Sequence, residues 1–204
     1  MEHYQDYVIK DGKFVGKFEQ MYQKFDDPWH QKEEVFHSHS RWDTILSLKQ
    51  HHISSFLEVG CGLGAFSHFI VQHIPEIEQK GIDISATAIN KARTRYPELN
   101  FEVCSVLDYF RNKIDEGKIN AVILSEIVWY ILDDLEQIIM ALKKNWSGIL
   151  IINQTFYKGQ QKYGKEYFTS VDGLIRWLDL PLIYKAEYNT SESGSIETQT
   201  IYQI

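Results

Sequence analysis

A glycine-rich segment is the part of this sequence whose residue types and spacing most clearly indicate chemistry. Residues 57–64 read LEVGCGLG, so that Gly60, Gly62 and Gly64 alternate with other residues directly after an apolar run. Glycine lets the chain turn tightly and lets a ligand approach backbone that a Cβ atom would obstruct. The segment therefore predicts a cofactor-binding loop between a strand and a helix.

Two carboxylates accompany this loop and bear on the kind of cofactor. Gly60, Gly62 and Ala65 also satisfy the relaxed dinucleotide pattern, so an NAD(P)-dependent oxidoreductase is an alternative. Glu58 favours a cationic, amine-bearing ligand without pyrophosphate, with a solvated strand end as the alternative explanation of this acid. Asp83 ends the next apolar run. A carboxylate at this point accepts hydrogen bonds from ribose hydroxyls both in dinucleotide sites and in sites for an amine-bearing nucleoside ligand, so it does not distinguish the two. Its alternative role is an acid at a helix N-terminus.

Candidates for a general base come from a second region of the chain. Glu126 follows the apolar run 120–125 and so is expected in the ligand crevice, where it would deprotonate a hydroxyl or ammonium group. Its alternative role is a helix-capping acid. His30, His37 and His39 titrate near neutrality and are further candidates for the base, with ordinary surface residues as the alternative. We expect no metal site, because His37 and His39 would point apart in an extended segment.

Aromatic residues make up 14% of the chain, and many lie outside the periodic core segments. We expect segments 22–39 and 156–168 to close over an aromatic-walled acceptor pocket, with ordinary core or lid packing as the alternative. The candidate substrate-binding residues are Tyr22, Trp29, Trp129, Tyr130, Tyr157, Tyr163 and Tyr167.

Apolar runs and helical patterns alternate through most of the chain. Alternation of this kind predicts a parallel sheet with helices on both faces. The predicted strands are 55–60, 79–84, 101–104, 120–125 and 147–153, and the predicted helices are 65–73, 85–96 and 133–143. A helix capped by Thr169 or Ser170 follows, and the runs 182–189 and 196–204 then predict an antiparallel hairpin.

The N-terminal part differs from the rest. Residues 1–13 are polar and unpatterned, residues 14–25 have helical spacing, and a further helix is predicted over 35–50. We therefore predict an N-terminal helical cap over 1–49 and a core over 50–204, in one domain. The predicted fold class is α/β, a Rossmann-like, doubly wound sheet of seven strands that is mostly parallel and ends in the antiparallel hairpin.

Composition excludes several kinds of partner. The 204 residues have a formal charge of −7 and no run of Lys or Arg, which argues against nucleic acid as a ligand. No apolar run approaches the roughly 20 residues that a membrane span needs, and no basic leader precedes an apolar stretch. We expect a cytoplasmic protein that does not bind membranes, with Cys61 and Cys104 reduced.

The acid and three alternating glycines resemble motif I of the class I S-adenosylmethionine-dependent methyltransferases, and the terminal hairpin fits that family's antiparallel last strand. The resemblance implies S-adenosyl-L-methionine as cofactor, with Asp83 at the ribose and the turn of Ser105 and Val106 beside the adenine. Asp108 is an alternative to Ser105. The cofactor-binding residues that it implies are Glu58, Gly60, Cys61, Gly62, Gly64, Asp83, Ile84, Ser105, Val106 and Ser125.

A second segment is similar to one subgroup of that family. Residues 125–132 match the Ser-Glu-x-x-x-Tyr-x-Leu pattern of nodulation protein S type methyltransferases, and Asp27, Pro28 and Trp29 after Tyr22 are also similar. This resemblance implies methylation of an oxygen or nitrogen on a small molecule, a sugar or sugar conjugate. The Asn/Asp-Pro-Pro-aromatic segment of nucleic-acid amino-methyltransferases is absent. A non-catalytic S-adenosylmethionine-binding subunit is a further alternative, and the sequence is compatible with a homodimer.

Overall fold

A seven-stranded sheet forms the centre of the protein in the computed structural model, which describes residues 3–31, 37–114, 118–189 and 194–204. A separate two-stranded hairpin precedes it. The hairpin comprises β1 (Ile9–Lys10) and β2 (Lys13–Phe14). The strands of the large sheet are β3 (Ser55–Val59), β4 (Glu78–Asp83), β5 (Phe101–Val103), β6 (Ala121–Ser125), β7 (Ile149–Tyr157), β8 (Leu182–Asn189) and β9 (Ser195–Gln203).

The order of the large sheet is β5-β4-β3-β6-β7-β9-β8. The pairs from β5 to β7 are parallel, whereas β9 runs antiparallel to both β7 and β8. The order reverses between β3 and β6, which places the ligand crevice of such sheets at the carboxyl ends of these two strands. The predicted α/β class, the mostly parallel sheet and the C-terminal antiparallel hairpin are confirmed.

Helices connect the strands and cover the sheet. They are α1 (Phe18–Lys24), α2 (His39–Gln50), α3 (Ala65–His73), α4 (Ala86–Arg95), α5 (Val106–Asn112), α6 (Leu135–Asn145) and α7 (Val171–Leu178). Ser85 and Ser170 cap α4 and α7 through their side chains, as their positions predict. Within the described ranges, no helix has the length and apolar character needed to span a membrane.

The core lies on both faces of the sheet because successive strand residues point to opposite sides. Every residue of β3 is buried. Leu57 and Val59 of β3 pack in one cluster with α6, whereas Phe56 packs in a second cluster on the opposite face with Phe69 of α3. Burial on both faces explains why the first four residues of β6 are all apolar rather than alternating with polar ones.

The N-terminal segment is more structured than its polar sequence predicts. A short 3-10 helix covers Tyr4–Tyr7, and β1 and β2 are joined by Asp11 and Gly12, whose φ angles are 52° and 73°. Two positive φ values are what a two-residue hairpin turn requires, and Asp-Gly is a sequence that supplies them. The prediction of an unpatterned segment over 1–13 is therefore wrong, because this short hairpin has little apolar periodicity.

Other boundaries also differ from the prediction. Helix α1 begins at Phe18 rather than Phe14 because Phe14 belongs to β2. Helix α5 was not predicted, and strand β7 continues to Tyr157, so that the start of the predicted 156–168 loop is strand. The predicted start of a helix at Val35 lies outside the described residues, and α2 begins at His39.

Candidate functional site

The glycine-rich loop leaves β3 in a conformation that only glycine adopts readily. The φ angles of Gly60 and Gly62 are 69° and 53°. A Cβ atom on Gly60 would lie 2.5 Å from Ile127 Cγ2, and one on Gly62 would lie 2.7 Å from the Tyr22 hydroxyl oxygen. Gly64, with φ of 78°, then starts α3. The loop is thus packed against the segment after β6 on one side and α1 on the other, and a side chain at either position would disturb it.

Asp83, at the end of β4, organises this loop through its carboxylate. Its Oδ2 accepts a hydrogen bond from the Gly62 amide at 2.9 Å, and its Oδ1 accepts one from the Ser85 amide at 2.8 Å. Burial raises the pKa of Asp83, against the effect of these backbone hydrogen bonds. A carboxylate has about four lone-pair sites, so two remain for hydroxyl groups of a ligand.

Glu58 is buried in β3, only 4% exposed. Its Oε2 accepts a hydrogen bond of 2.5 Å from the Ser67 hydroxyl, and the Ser67 oxygen in turn accepts one from Gln79 Nε2 at 3.0 Å. Burial raises the pKa of Glu58 to about 7. The solvated strand end considered for Glu58 is therefore wrong, because its carboxyl group lies inside the protein against α3.

Glu126 follows β6 with φ of 58°, a left-handed conformation that is uncommon for a residue with a side chain. Its Oε2 accepts hydrogen bonds from the Thr155 amide at 3.1 Å and Gln154 Nε2 at 3.3 Å, and its Oε1 accepts one from the Thr155 hydroxyl at 2.9 Å. Burial raises the pKa of Glu126 to about 7 in spite of these bonds. Because its partners belong to β7, Glu126 does not cap a helix in this arrangement.

One cavity of about 480 Å³ contains both the Asp83 side and the Glu126 side of the crevice. Its volume falls within the usual range of small-molecule sites. The predicted site residues that line it are Tyr22, Trp29, His30, Gly60, Asp83, Ile84, Val106, Ser125, Glu126, Trp129, Tyr130 and Tyr157. The predicted site residues outside this lining are His37, Glu58, Cys61, Gly62, Gly64, Ser105, Tyr163 and Tyr167, together with the alternative base His39.

Several of the residues outside the lining have other contacts. Ser105 caps α5, its hydroxyl accepting from the Asp108 amide at 3.2 Å and donating to Asp108 Oδ2 at 2.7 Å, so that Cys104 reaches the cavity instead. The Tyr167 hydroxyl donates to Asp133 at 3.2 Å. His37 and His39 line a separate surface groove.

Aromatic side chains from the N-terminal segment form one wall of the cavity. Tyr130 contacts Phe18 and Trp29, with ring centroids 5.5 Å and 5.8 Å apart, and Trp29 also contacts Tyr4 at 5.0 Å. Edge-to-face and tilted contacts of this kind hold aromatic rings in a fixed arrangement. Trp129 is mainly core: it is 7% exposed and donates its indole N–H to the Thr155 carbonyl oxygen at 3.1 Å.

Six polar residues of the lining were not predicted, namely Gln5, Gln31, Ser38, Arg41, Thr155 and Glu197. Gln31 accepts a hydrogen bond from the Leu63 amide at 2.9 Å through its Oε1. Arg41 and Ser38 come from the start of α2, and Glu197 comes from β9. No motif marks these residues, because each reaches the cavity only through the packing of distant segments.

Comparison with known proteins agrees with this geometry. Residues 57–145, from β3 to the end of α6, match the family model of a methyltransferase domain. The N-methyltransferase NodS from Bradyrhizobium japonicum WM9, in complex with S-adenosyl-L-homocysteine, has a similar structure, with a TM-score of 0.63 and 15% identity. That match covers 91% of this chain and 97% of NodS.

Two further structures share the fold. The PH0226 protein from Pyrococcus horikoshii OT3 matches with a TM-score of 0.68 and 16% identity over 90% of this chain and 98% of its own. Geranyl diphosphate C-methyltransferase from Streptomyces coelicolor A3(2) matches with a TM-score of 0.58 and 13% identity over 79% of this chain and 77% of its own. The methyltransferase-domain match over residues 57–145 and the topology of the sheet support the resemblance to class I S-adenosylmethionine-dependent methyltransferases.

Proposed function

We propose that this enzyme transfers the methyl group of S-adenosylmethionine to a nitrogen or oxygen atom of a small-molecule acceptor, a sugar or sugar conjugate. The observation that carries the proposal is that Asp83 and Glu126, two acids with different surroundings, line one cavity beneath an aromatic wall. In this proposal Asp83 serves the cofactor and Glu126 serves the acceptor.

The cofactor side of the cavity suits a nucleoside with a cationic tail. Gly60 exposes backbone that a Cβ atom would cover, and Asp83 retains acceptor sites for ribose hydroxyls. Ile84, Cys104 and Val106 line the cavity beyond Asp83 and would flank the adenine. When bound, the cofactor supplies an electrophilic methyl group on a sulfonium sulfur. The residues of the chain then have to hold it in line with the acceptor.

The acceptor side supplies a proton acceptor in a fixed position. An ammonium group must lose a proton before its nitrogen has a lone pair to attack the methyl carbon, whereas a hydroxyl group loses its proton as its oxygen bonds to that carbon. In both cases the carbon–sulfur bond breaks and its electrons remain on sulfur. Glu126 is our candidate to take that proton at a carboxylate oxygen, and Thr155 holds the carboxylate through two hydrogen bonds. A pKa of about 7 is close to the best value for a base that works near neutrality. His30, which also lines the cavity, is the alternative.

Polar groups beside aromatic rings favour a sugar-like acceptor over an apolar one. Glu126, Thr155 and Glu197 offer hydrogen-bonding groups for hydroxyl or amino substituents. Trp29 and Tyr130 offer apolar surfaces that a sugar ring covers well. The shared fold does not select the acceptor, because structures with this fold include an N-methyltransferase and a C-methyltransferase. The choice of a nitrogen or oxygen acceptor therefore rests on the polar groups of this cavity.

Two measurements test the proposal in order. Calorimetry should give saturable binding of S-adenosylhomocysteine and none of NADH, whereas the reverse result would indicate an oxidoreductase. Transfer of labelled methyl groups should then be measured with amino sugars, neutral sugars and geranyl diphosphate as acceptors. We expect turnover with a sugar or amino sugar. Cofactor binding without turnover on any sugar would favour the non-catalytic subunit, and turnover only on geranyl diphosphate would contradict the acceptor class.

A further inference from the structure

Strand β8 forms one edge of the large sheet. It pairs with β9, and among the residues that the structure describes no other strand lies beside it. Six of its eight residues are exposed, so the strand is open to solvent along most of its length. The outer backbone N–H and C=O groups of an edge strand can pair with a strand of another chain.

Exposed apolar side chains are concentrated at this edge. Nine large apolar side chains are exposed among the described residues, of which three belong to β8 and two to the neighbouring helix α2. They are Leu182, Ile183 and Tyr184 on β8, and Trp42 and Leu46 on α2. Both α2 residues line a surface groove that also includes Tyr188 of β8. Apolar groups gathered at one place on a surface mark a contact site for a partner.

One face of β8 is aromatic. Successive residues of a strand point to opposite faces, so Tyr184, Ala186 and Tyr188 share a face. The hydroxyls of Tyr184 and Tyr188 donate to Asp43 Oδ2 at 3.0 Å and 2.5 Å, which turns this face towards α2. The two tyrosine rings are therefore fixed on either side of Ala186.

The opposite face of β8 is charged. Lys185 Nζ donates to Asp172 Oδ1 of α7 at 2.8 Å and lies 2.8 Å from Glu187 Oε1. The side chains of Lys185 and Glu187 are 32% and 39% exposed. An ammonium group has three donors and a carboxylate has two oxygens, so both groups retain capacity for a further partner.

The sequence of β8 is complementary to itself when a second copy runs antiparallel beside it. With Ala186 of the two copies directly opposite each other, each Lys185 faces a Glu187 of the other copy and each Tyr184 faces a Tyr188. The members of each pair point to the same face, as residues directly opposite in antiparallel strands must. Opposite charges and aromatic pairs at such positions stabilise the pairing of strands.

The charges select this register over its neighbours. Moving the centre of the pairing by one residue places Lys185 opposite Lys185 or Glu187 opposite Glu187, and like charges directly opposite are destabilising. A pairing centred between two residues would bring the aromatic face of one copy beside the charged face of the other. The alternation of residue types along β8 thus specifies one partner strand, which is another β8.

We propose that two copies of this chain associate through β8, antiparallel and centred on Ala186, so that their seven-stranded sheets continue into each other across a twofold axis. Trp42 and Leu46 of α2 lie beside the paired strands on the aromatic face. The inference goes beyond the proposed function and holds whichever acceptor the enzyme methylates.

Reversal of single charges tests the register. Sedimentation velocity measures dimerisation of the wild type, K185E, E187K and the control K10E over roughly a hundredfold range of protein concentration. The wild type should dimerise. Each reversal in β8 replaces two opposite-charge pairs by two like-charge pairs and should weaken dimerisation at least about tenfold. Lys10 is an exposed strand residue of the separate β1–β2 hairpin, so K10E makes the same change in net charge and should dimerise as the wild type does.

A mixture of the two variants separates the contact between copies from effects within one chain. K185E has two acids on the charged face and E187K has two lysines there, so the variants match each other in the same register. Their equimolar mixture should associate at least about tenfold more tightly than either variant alone, although each retains its own like charges. The double variant K185E/E187K should again dimerise by itself.

Circular dichroism confirms that the compared variants are folded. The proposal is overturned by wild-type protein that stays monomeric, by single reversals that dimerise as K10E does, or by a mixture that associates no more tightly than its components.

Discussion

The two sides of the cavity are built in different ways. The cofactor side comes from one continuous stretch, in which the loop after β3 and the acid at the end of β4 are joined by the hydrogen bond from the Gly62 amide to Asp83. The acceptor side combines Glu126 after β6, Thr155 on β7 and Glu197 on β9 with aromatic residues from the N-terminus. The first side is therefore specified by local sequence, and the second depends on how distant segments pack.

The acids of the two sides also have different partners. Asp83 accepts hydrogen bonds from two backbone amides of loops, so it shapes the site that a ligand enters. Glu126 accepts from the backbone and hydroxyl of Thr155, so its carboxylate is fixed to the sheet. We expect damage to the first acid to change cofactor affinity and damage to the second to change turnover. The following substitutions test that separation.

The largest effect is expected from Gly62→Val on the cofactor side. A Cβ atom at this position would lie 2.7 Å from the Tyr22 hydroxyl and 2.8 Å from Gln31 Nε2, at a φ of 53° that a branched side chain rarely adopts. Binding of S-adenosylhomocysteine should be abolished while circular dichroism remains that of a folded α/β protein. Calorimetry with the purified variant measures this directly.

Gly159→Val is the matched control for that substitution. Gly159 has a φ of 67° but no atom within 4 Å of the position of a Cβ, so it carries the backbone strain without the contact. Its affinity for S-adenosylhomocysteine should equal that of the wild type. Normal affinity of Gly62→Val would mean that the loop is not part of the cofactor site.

The next largest effect is expected from Glu126→Gln on the acceptor side. Glutamine keeps one oxygen for the Thr155 amide, and its amide group can donate to the Thr155 hydroxyl, so the fold should persist. Loss of a proton acceptor lowers the rate about 10²- to 10⁴-fold. Turnover should fall by at least about a hundredfold with unchanged affinity for S-adenosylhomocysteine. Glu136→Gln, at an exposed position of α6, is the control and should turn over normally.

The pH dependence of the wild-type rate provides a second measurement on Glu126. A base acts when ionised, and burial raises the pKa of this carboxyl group to about 7. Turnover should therefore rise as the pH increases through about 7 and become constant above it. A rate that Glu126→Gln leaves unchanged would assign the base, if the acceptor needs one, to His30 or a tyrosine of the cavity.

A smaller loss is expected from Asp83→Ala, again on the cofactor side. Hydrogen bonds to a charged group contribute roughly 1.5–3 kcal/mol, which corresponds to an affinity loss of about 10- to 150-fold for S-adenosylhomocysteine. The substitution also removes the hydrogen bond from the Gly62 amide to Asp83. A double-mutant-type cycle that combines Asp83→Ala with a 2′-deoxyribose analogue of the ligand is therefore needed to isolate the ribose contact. If Asp83 binds the ribose directly, the two changes should be non-additive. Additive losses would restrict Asp83 to holding the loop.

The same contrast explains what the sequence could predict. The five parallel strands, the hairpin and the glycine loop carry apolar runs or turn residues at short spacing, and they were found to within a few positions. Arg41, Gln31 and Glu197 were not found, because isolated polar residues become neighbours only when α2 and β9 pack together. The resemblance placed Ser105 in a turn beside the adenine, but in the structure its hydroxyl caps α5. The spacing of nearby residues did not distinguish the start of this short helix from a turn.

The smallest effect that we predict is on substitution of Glu58. This experiment tests whether the cofactor side of the cavity includes the acid of β3. Its carboxyl group is buried against Ser67, and burial raises the pKa from 4.5 to about 7. The folded protein thus holds a proton more tightly than the unfolded chain does. The stability contributed by this proton is complete below about pH 4.5 and is lost as the pH rises through about 7.

Glu58→Gln removes this titration while keeping an oxygen for the Ser67 hydroxyl. Between pH 5 and pH 8 the free energy of unfolding of the wild type should therefore decrease more than that of Glu58→Gln, by on the order of 1 kcal/mol in urea titrations. Glu136→Gln should retain the wild-type slope. Because Glu58 lies outside the cavity lining, its substitution should change the affinity for S-adenosylhomocysteine less than threefold, about 0.7 kcal/mol. A tenfold loss would instead show that the cofactor side extends through the loop to the acid of β3.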